Sequence, residues 1–328
     1  MTKGRWLMVV RVVVGLLVLA AVVLAVVKNW DAVSADIARV SAGALALSSA
    51  LALLSLVFTL IGWRALMADL GSPLPLGPAS GVLFIGQLGK YLPGSVWTVV
   101  VQAEVASALG VPRQRTAVAG LLSVVLSAMA GLGIGLIALP ALLSSGGDSS
   151  YLLVLLVVPV GLVVLYPRVL NAIITKVLHR FRRPPLEHPL SGRAIAVTMS
   201  AFLAAWTCLG LHVFTLVLDL GGSARQSFVP AVFGYALAAA IGMIVVLLPA
   251  GIGLREAVLV LLLTGPLSKS AAGAVVLLSR FIITGSDVVA AAVGWLYDRS
   301  HHLMAARRAS GAQDQSQDQP PAQPPAQP

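Results

Sequence analysis

Apolar runs long enough to cross a membrane recur along the chain, and they restrict its fold more than any other feature. A transmembrane helix needs about 20 mostly apolar residues to cross about 30 Å of hydrocarbon. Runs of this kind occupy residues 6–27, 42–62, 116–143, 151–166, 194–218, 231–248 and 271–296. Only 10% of the 328 residues are charged, whereas soluble domains are about one quarter charged. The sequence therefore predicts an all-α polytopic membrane protein.

Two further apolar runs are interrupted by Gly and Pro. The first, residues 77–109, is broken at Pro93 and Gly94. The second, residues 249–265, begins at Pro249 and is short for a spanning helix. Because proline has no backbone N–H, helices break at these positions. We expect residues 77–109 to form a re-entrant helical hairpin and the second run to cross, which gives about eight transmembrane crossings.

The distribution of Lys and Arg indicates the orientation. With eight crossings and a cytoplasmic N-terminus, fifteen of the 22 Lys and Arg fall on the cytoplasmic side. Four fall outside, and they are Lys28, Arg39, Arg225 and Lys269. This positive-inside bias predicts a multi-pass protein of the cell (plasma or inner) membrane with both termini in the cytoplasm. It also accounts for the net charge of +10, so we do not expect nucleic-acid binding.

Residues 1–300 form the predicted membrane domain, and two polar segments lie outside its spans. The cytoplasmic basic loop 168–193 begins with an amphipathic pattern. This pattern fits an interfacial helix attracted to anionic headgroups, and a solvated loop fits equally well. The segment 301–328 ends in a Gln- and Pro-rich sequence with little apolar surface to bury, so we expect a disordered cytoplasmic tail.

Six charged residues lie in apolar surroundings, where a charge is costly and is therefore a candidate for function. They are Lys90, Glu104, Arg255, Glu256, Arg280 and Asp287. Arg280 and Asp287 are seven residues apart, so they share a helix face but are separated by two turns. We expect Arg280 to meet Glu256 or Glu104. Asp287 is expected to meet Arg255. Salt bridges that only hold helices together are the alternative interpretation.

The break at Pro93 and Gly94 has the features of an anion site. Gly94 lets the backbone approach a ligand, and a half-helix that starts after the break presents free N–H groups to a phosphate or carboxylate. Lys90 adds a full positive charge, and Tyr91 and Trp97 suit the boundary between headgroups and acyl chains. The alternative is a kinked structural hairpin in which Lys90 extends to water.

The break that begins at Pro249 has a similar design. Gly251 and Gly253 unwind the chain immediately before Arg255 and Glu256. Gly/Pro-interrupted segments in both halves of a chain indicate the substrate site of a transporter. A purely local ion pair between Arg255 and Glu256 remains the alternative.

Other kinds of site find little support. Cys208 is the single cysteine, and His212 is the only histidine within a span, so neither a metal set nor a disulfide is expected. Gly131, Gly133 and Gly135 lie inside an apolar span without a preceding strand, which is untypical of a dinucleotide-binding loop. We expect no catalytic residue, metal or cofactor, and therefore no enzyme.

Three segments together resemble the flippase-like family of integral membrane proteins. They are GQLGKYLPGSVW with the later QAE, LPAGIGLREAVLV, and SRFIITGSDVVAA. This family includes the transmembrane region of bacterial lysylphosphatidylglycerol synthases and stand-alone relatives, and the likeness covers residues 5–300. It implies movement of a lipid with a bulky polar or charged headgroup between leaflets. Bifunctional members carry a soluble aminoacyl-transferase domain after this region. Here a Gln/Pro-rich tail follows instead, so we do not expect lysine transfer.

The leading hypothesis is a flippase or scramblase for a phosphate-bearing lipid, either an anionic phospholipid or a polyprenyl-phosphate-linked sugar. Lys90, Arg255 and Arg280 would neutralise the headgroup phosphate. The acidic groups would hold these cations in an empty cavity or couple transport to protons. The predicted headgroup cavity contains Lys90, Tyr91, Pro93, Gly94, Trp97, Glu104, Arg255, Glu256, Arg280 and Asp287.

Two other functions also fit the sequence. A non-catalytic membrane subunit would present a lipid-linked substrate to a separate transferase, with the basic loop 168–193 as the docking surface. An integral-membrane transferase would use Asp287 or Glu256 as a base. The second is disfavoured because the sequence shows no metal-binding carboxylate pair.

Overall fold

The computed structural model describes residues 30–91, 97–144, 163–180, 184–244 and 253–317, together with residues 161 and 182. All regular structure in these ranges is helical, as the sequence predicts. The α-helices of this part of the chain are α1 (Trp30–Arg39), α2 (Ala42–Asp69), α3 (Leu76–Gln87), α4 (Trp97–Ser107), α5 (Arg113–Gly135), α6 (Leu139–Ser144), α7 (Pro167–Arg180), α8 (Gly192–Asp219), α9 (Ala224–Phe228), α10 (Gly234–Ile244), α11 (Leu254–Leu263) and α12 (Lys269–Gln317).

Four of the described segments are long and apolar enough to cross a membrane. They are Ala42–Asp69, Arg113–Ala141, Gly192–Asp219 and Lys269–Tyr297. Each coincides with a predicted span, so the protein is a polytopic helical membrane protein. The predicted span 6–27 and most of 151–166 lie outside the described residues. The total of eight crossings therefore stays a prediction.

The helices α2 and α8 pack against each other and are joined at both ends by matching hydrogen bonds. The backbone N–H and the hydroxyl of Ser41, which caps α2, donate to the Asp219 carboxylate at 2.6 and 2.8 Å. The same groups of Ser191, which caps α8, donate to the Asp69 carboxylate at 2.6 and 2.8 Å. Because each helix begins where the other ends, α2 and α8 are antiparallel.

We expect Ser191→Ala to lower the thermal stability of the protein. The substitution removes the hydroxyl that caps α8 and donates to Asp69, and loss of such an N-cap costs about 1 kcal/mol. Ser41→Ala is the matched change at the other end of the helix pair and should cost a similar amount. Thermal unfolding in detergent measures both. A cost for one variant and none for the other would contradict equivalent caps.

The first interrupted run forms two short helices, α3 and α4, whereas the second forms α11, which follows the short helix α10 of the run 231–248. The helices α3, α4, α10 and α11 contain 10 to 12 residues each, about 15–18 Å at 1.5 Å per residue. The helix α3 packs against α4, and α10 packs against α11. Gly253 precedes α11 with a φ of 93°, a conformation that glycine adopts without steric cost. Pro93, Gly94 and Pro249 lie outside the described residues.

Both polar segments contain helix, which was one of the two expectations for the basic loop but was not expected for the tail. The basic loop starts with the amphipathic helix α7, which buries Leu170, Ile174 and Leu178. The last helix, α12, continues to Gln317 and so enters the segment 301–328, where we expected disorder. Residues 301–317 contain no proline, and Ala, Arg, Leu and Gln favour helix. The helix propensity of these residues therefore accounts for the continuation of α12 beyond its apolar part.

Candidate functional site

A cavity of about 310 Å³ lies between the long helices and both broken segments. It is lined from α2, α3, α4, α5, α8, α10, α11 and α12, and from the short 3₁₀ helix Leu88–Tyr91 that follows α3. Its polar, aromatic and charged lining residues are Ser55, Thr59, Gln87, Lys90, Tyr91, Thr98, Ser127, Trp206, Tyr235, Arg255, Arg280, Ser286 and Asp287. Four charged side chains therefore line one cavity among apolar helices.

On one side of the cavity, Asp287 connects the first broken segment to α12. Its side chain is 1% exposed and lies 2.7 Å from the ammonium of Lys90. The hydroxyl of Tyr91 donates to the same carboxylate at 2.5 Å and also lies 3.4 Å from the Thr284 hydroxyl. The Lys90 side chain is 33% exposed. Asp287 is therefore a buried carboxylate with two partners on one oxygen, whereas its cationic partner Lys90 is partly exposed at the cavity.

On the other side, Glu256 joins the two arginines. Its carboxylate accepts a hydrogen bond from Arg255 at 2.9 Å and lies 3.7 Å from the guanidinium of Arg280. It also accepts from the backbone N–H of Gly253 at 2.7 Å, which fixes the first turn of α11. Arg255 lies 5.8 Å above the centre of the Tyr235 ring, within range of a cation–π interaction. The glycine break thus places Arg255 at the cavity, where Glu256 lies between it and Arg280 of α12.

The charges of the site do not cancel. Three cations, Lys90, Arg255 and Arg280, face two carboxylates, Asp287 and Glu256. With all five groups ionised, one positive charge is in excess. Since removal of an ion from water costs several kcal/mol, an anion in the cavity would stabilise this arrangement. Guanidinium groups bind phosphate and carboxylate oxygens through two parallel hydrogen bonds.

The structure brings together most of the residues that the sequence singled out. Lys90, Tyr91, Arg255, Arg280 and Asp287 line the cavity. Glu256 contacts both arginines. The expected contact of Arg280 with Glu256 is therefore present.

Other expectations about pairing and position differ from the structure. Asp287 pairs with Lys90 and not with Arg255, because the 3₁₀ helix after α3 lies beside α12. Glu104 is 68% exposed and pairs with Arg113, nine residues along the chain. Trp97 is 44% exposed and stands outside the cavity lining. Spacing along α4 could not show which face of this short helix points inward.

Several cavity residues were missed because they are neutral. Tyr235, on α10, is 2% exposed and supports Arg255. Trp206, on α8, lines the cavity and donates its indole N–H to the Ser127 carbonyl at 2.8 Å. The spacing of Ser55 and Thr59, four residues apart, places both on one face of α2 and was the available signal.

His212 forms a polar contact among three long helices. Its Nδ1 lies 2.5 Å from the Ser48 hydroxyl on α2, and its Nε2 lies 2.8 Å from the Ser279 hydroxyl on α12. No group of His, Cys, Asp and Glu with a metal-binding arrangement occurs among the described residues. The histidine therefore links helices next to Arg280.

Fold and site define a polytopic helical membrane protein with a net-cationic cavity between two broken helical segments. The family described as the lysylphosphatidylglycerol synthase TM region matches residues 9–291. The chain belongs to this family, which confirms the resemblance seen in its motifs and indicates a function related to membrane lipids. No curated protein matches the chain.

Proposed function

We propose that this protein moves lipids with a phosphate-bearing headgroup between the leaflets of the cell membrane, with both termini cytoplasmic. The observation that carries the proposal is the convergence of Lys90, Arg255 and Arg280 on one cavity. These cations bind the headgroup phosphate, while Asp287 and Glu256 hold them in place when the cavity is empty. The protein acts as a transporter without catalysis or a cofactor.

The position of the cavity fits a lipid whose tails stay in the bilayer. Val124, on α5, lines the cavity and is 40% exposed, and it adjoins Leu121 and Val125 of the same helix, which are 51% and 45% exposed. The cavity wall therefore reaches the lipid-facing side of the protein at this helix. A headgroup that enters here exchanges water for the cationic side chains, and its acyl or prenyl chains remain in hydrocarbon.

Reconstitution into vesicles tests this function. Acyl-labelled fluorescent phosphatidylglycerol is incorporated into both leaflets, and dithionite destroys only the label that reaches the outer leaflet. We expect wild-type protein to expose the inner-leaflet label. Arg280→Ala should slow this movement strongly, because it removes a cation that is 24% exposed in the cavity. Arg39→Ala, which breaks an ion pair on a side chain that is 67% exposed, is the matched control and should behave like wild type.

One structural observation favours a second function, presentation of a lipid-linked substrate to a separate transferase. Beside α7 lies an open groove with apolar and cationic side chains. Its lining residues are Tyr166, Arg168, Val169, Ala172, Ile173 and Lys176. Protein that retains phosphatidylglycerol through purification but moves none in vesicles would support this second function over transport.

A further inference from the structure

Two copies of one structural unit make up most of the described chain. Each unit contains a 28-residue helix, two short helices around a break, and a long final helix. The first unit is α2, α3, α4 and α5, and the second is α8, α10, α11 and α12. The 28-residue helices are 150 positions apart, and the following residues recur at that distance: Ser41 and Ser191, Asp69 and Asp219, Leu70 and Leu220, Gly71 and Gly221.

The contacts between the units are reciprocal. Besides the two serine–aspartate caps, the hydroxyl of Ser48 donates to the His212 carbonyl at 3.1 Å. The hydroxyl of Thr198 donates to the Gly62 carbonyl, also at 3.1 Å. Residues 48 and 198 are 150 positions apart, and so are residues 62 and 212. Exchange of the two units therefore reproduces the same hydrogen bonds, which defines a twofold axis between α2 and α8.

The contacts of the remaining helices follow the same twofold relation. The helix α3 of the first unit packs on α12 of the second, and α10 of the second packs on α5 of the first. Two residues after the end of each 28-residue helix lies a glycine with positive φ, 79° at Gly71 and 87° at Gly221. The breaks correspond as well, since Leu92 and Pro93 recur as Leu248 and Pro249, 156 positions later.

The helices of the two units repeat, but the charged side chains of the cavity do not. At a distance of 156 positions, Lys90 corresponds to Val246, Arg280 to Val124, and Asp287 to Gly131. The repeat therefore supplies two copies of the frame but a single ionic site. Lys90 of the first unit and Asp287 of the second form an ion pair between the units.

Because α2 and α8 are antiparallel membrane-spanning helices, their twofold axis lies in the plane of the membrane. We propose that the protein is an inverted repeat whose single ionic site opens alternately to the two sides of the membrane. This inference rests on the proposed function, and it excludes a permanently open groove. Two symmetry-related contacts, α3 with α12 and α5 with α10, then open one after the other, as expected of rocking between inverted repeats.

The inverted repeat also changes the topology. The hairpin of α3 and α4 lies between the end of α2 and the start of α5, and its counterpart of α10 and α11 lies between α8 and α12. Under the twofold axis the two hairpins enter from opposite sides and each returns to its own side. The helices α10 and α11 then form a second re-entrant hairpin in place of the two crossings expected there. With the runs 6–27 and 151–166 kept as predicted spans, the number of crossings expected for the chain is six in place of eight, and both termini stay on one side.

Disulfide locking tests the alternation in a Cys208→Ala background. A Cβ added at Gly77 on α3 would overlap the Tyr297 ring of α12, so Gly77→Cys with Tyr297→Cys places two thiols in the space of that ring. This disulfide joins the two units. A Cβ at Gly234 would lie 3.7 Å from the Leu262 Cβ, within the disulfide range of about 3.5–4.5 Å. Gly234→Cys with Leu262→Cys is the matched control inside the second unit.

Lipid movement is measured in vesicles with fluorescent phosphatidylglycerol, before and after reduction of each disulfide. We expect the Gly77–Tyr297 disulfide to stop movement and reduction to restore it, whereas the Gly234–Leu262 disulfide leaves movement unchanged. Continued movement with the Gly77–Tyr297 disulfide intact would overturn the alternation and leave the proposed function standing. Failure of that disulfide to form would contradict the packing of the two units. Absence of movement in the wild-type protein, which contains Cys208, would refute the proposed function itself.

Discussion

Arg255→Ala should slow lipid movement by about 10- to 150-fold. This follows because a hydrogen bond to a charged group contributes about 1.5–3 kcal/mol and 1.4 kcal/mol corresponds to tenfold. The Arg255 side chain is 13% exposed, donates to Glu256 at 2.9 Å and lies over the Tyr235 ring. Arg255 is one of the residues that line the cavity. The vesicle assay with fluorescent phosphatidylglycerol measures the effect.

Two variants separate phosphate binding from general loss of charge. Arg255→Lys keeps the charge but loses the planar fork of donors, so it should restore only part of the movement. Arg113→Ala also removes an arginine from an ion pair, but its side chain is 65% exposed and pairs with the exposed Glu104. We expect Arg113→Ala to match wild type. The cavity hypothesis would be abandoned if Arg255→Ala and Arg113→Ala behaved alike.

Arg255→Ala also leaves Glu256 with partners, so its effect is not a simple loss of folding. The Gly253 N–H still donates to the Glu256 carboxylate at 2.7 Å, and Arg280 lies 3.7 Å away. The loss of thermal stability in detergent should therefore stay below about 3–5 kcal/mol, the loss typical of a buried pair that loses one partner, and expression should stay near the wild-type level while movement falls.

Much of this architecture could be predicted from the sequence because lipid imposes a simple rule. Backbone polar groups must be satisfied within each segment, so long apolar runs form helices. The four described spans coincide with such runs. Charged residues among apolar ones are costly, which identified Lys90, Arg255, Arg280 and Asp287 before any geometry was known.

The partner of each charged side chain and its burial could not be predicted, because both depend on how helices from different parts of the chain pack. Asp287 contacts Lys90 because α3 packs on α12, a contact between distant segments. Glu104 looked like a buried charge from its neighbours, yet α4 turns it to an exposed partner.

The repeat was hidden for a related reason. Only a few capping and turn residues recur between the two 28-residue helices, since apolar side chains facing lipid are interchangeable. Ser41 and Asp69 recur as Ser191 and Asp219 because the caps need hydrogen-bonding groups at fixed places. The few recurring residues therefore become recognisable as a repeat once their reciprocal contacts are known.

Variants of the ion pair between Lys90 and Asp287 should show different effects on stability and on lipid movement. Loss of one partner of a buried pair costs about 3–5 kcal/mol, whereas replacement of both by apolar residues is often neutral. Lys90→Met leaves the 1% exposed Asp287 without its cation, so we expect a cost near the lower end of that range. Asp287→Leu should cost less, because Lys90 is 33% exposed and retains access to the open cavity. Thermal unfolding in detergent gives this order.

The double variant Lys90→Met with Asp287→Leu decides what the pair does. We expect it to regain most of the stability lost by Lys90→Met, because no unpaired charge remains beside α12. Lipid movement in vesicles should stay low, because the cation that meets the headgroup and the link between the two units are both gone. A double variant with wild-type movement would show that Lys90 and Asp287 only hold helices together. Recovery of stability without movement assigns the pair to the transport cycle, since packing alone would restore both.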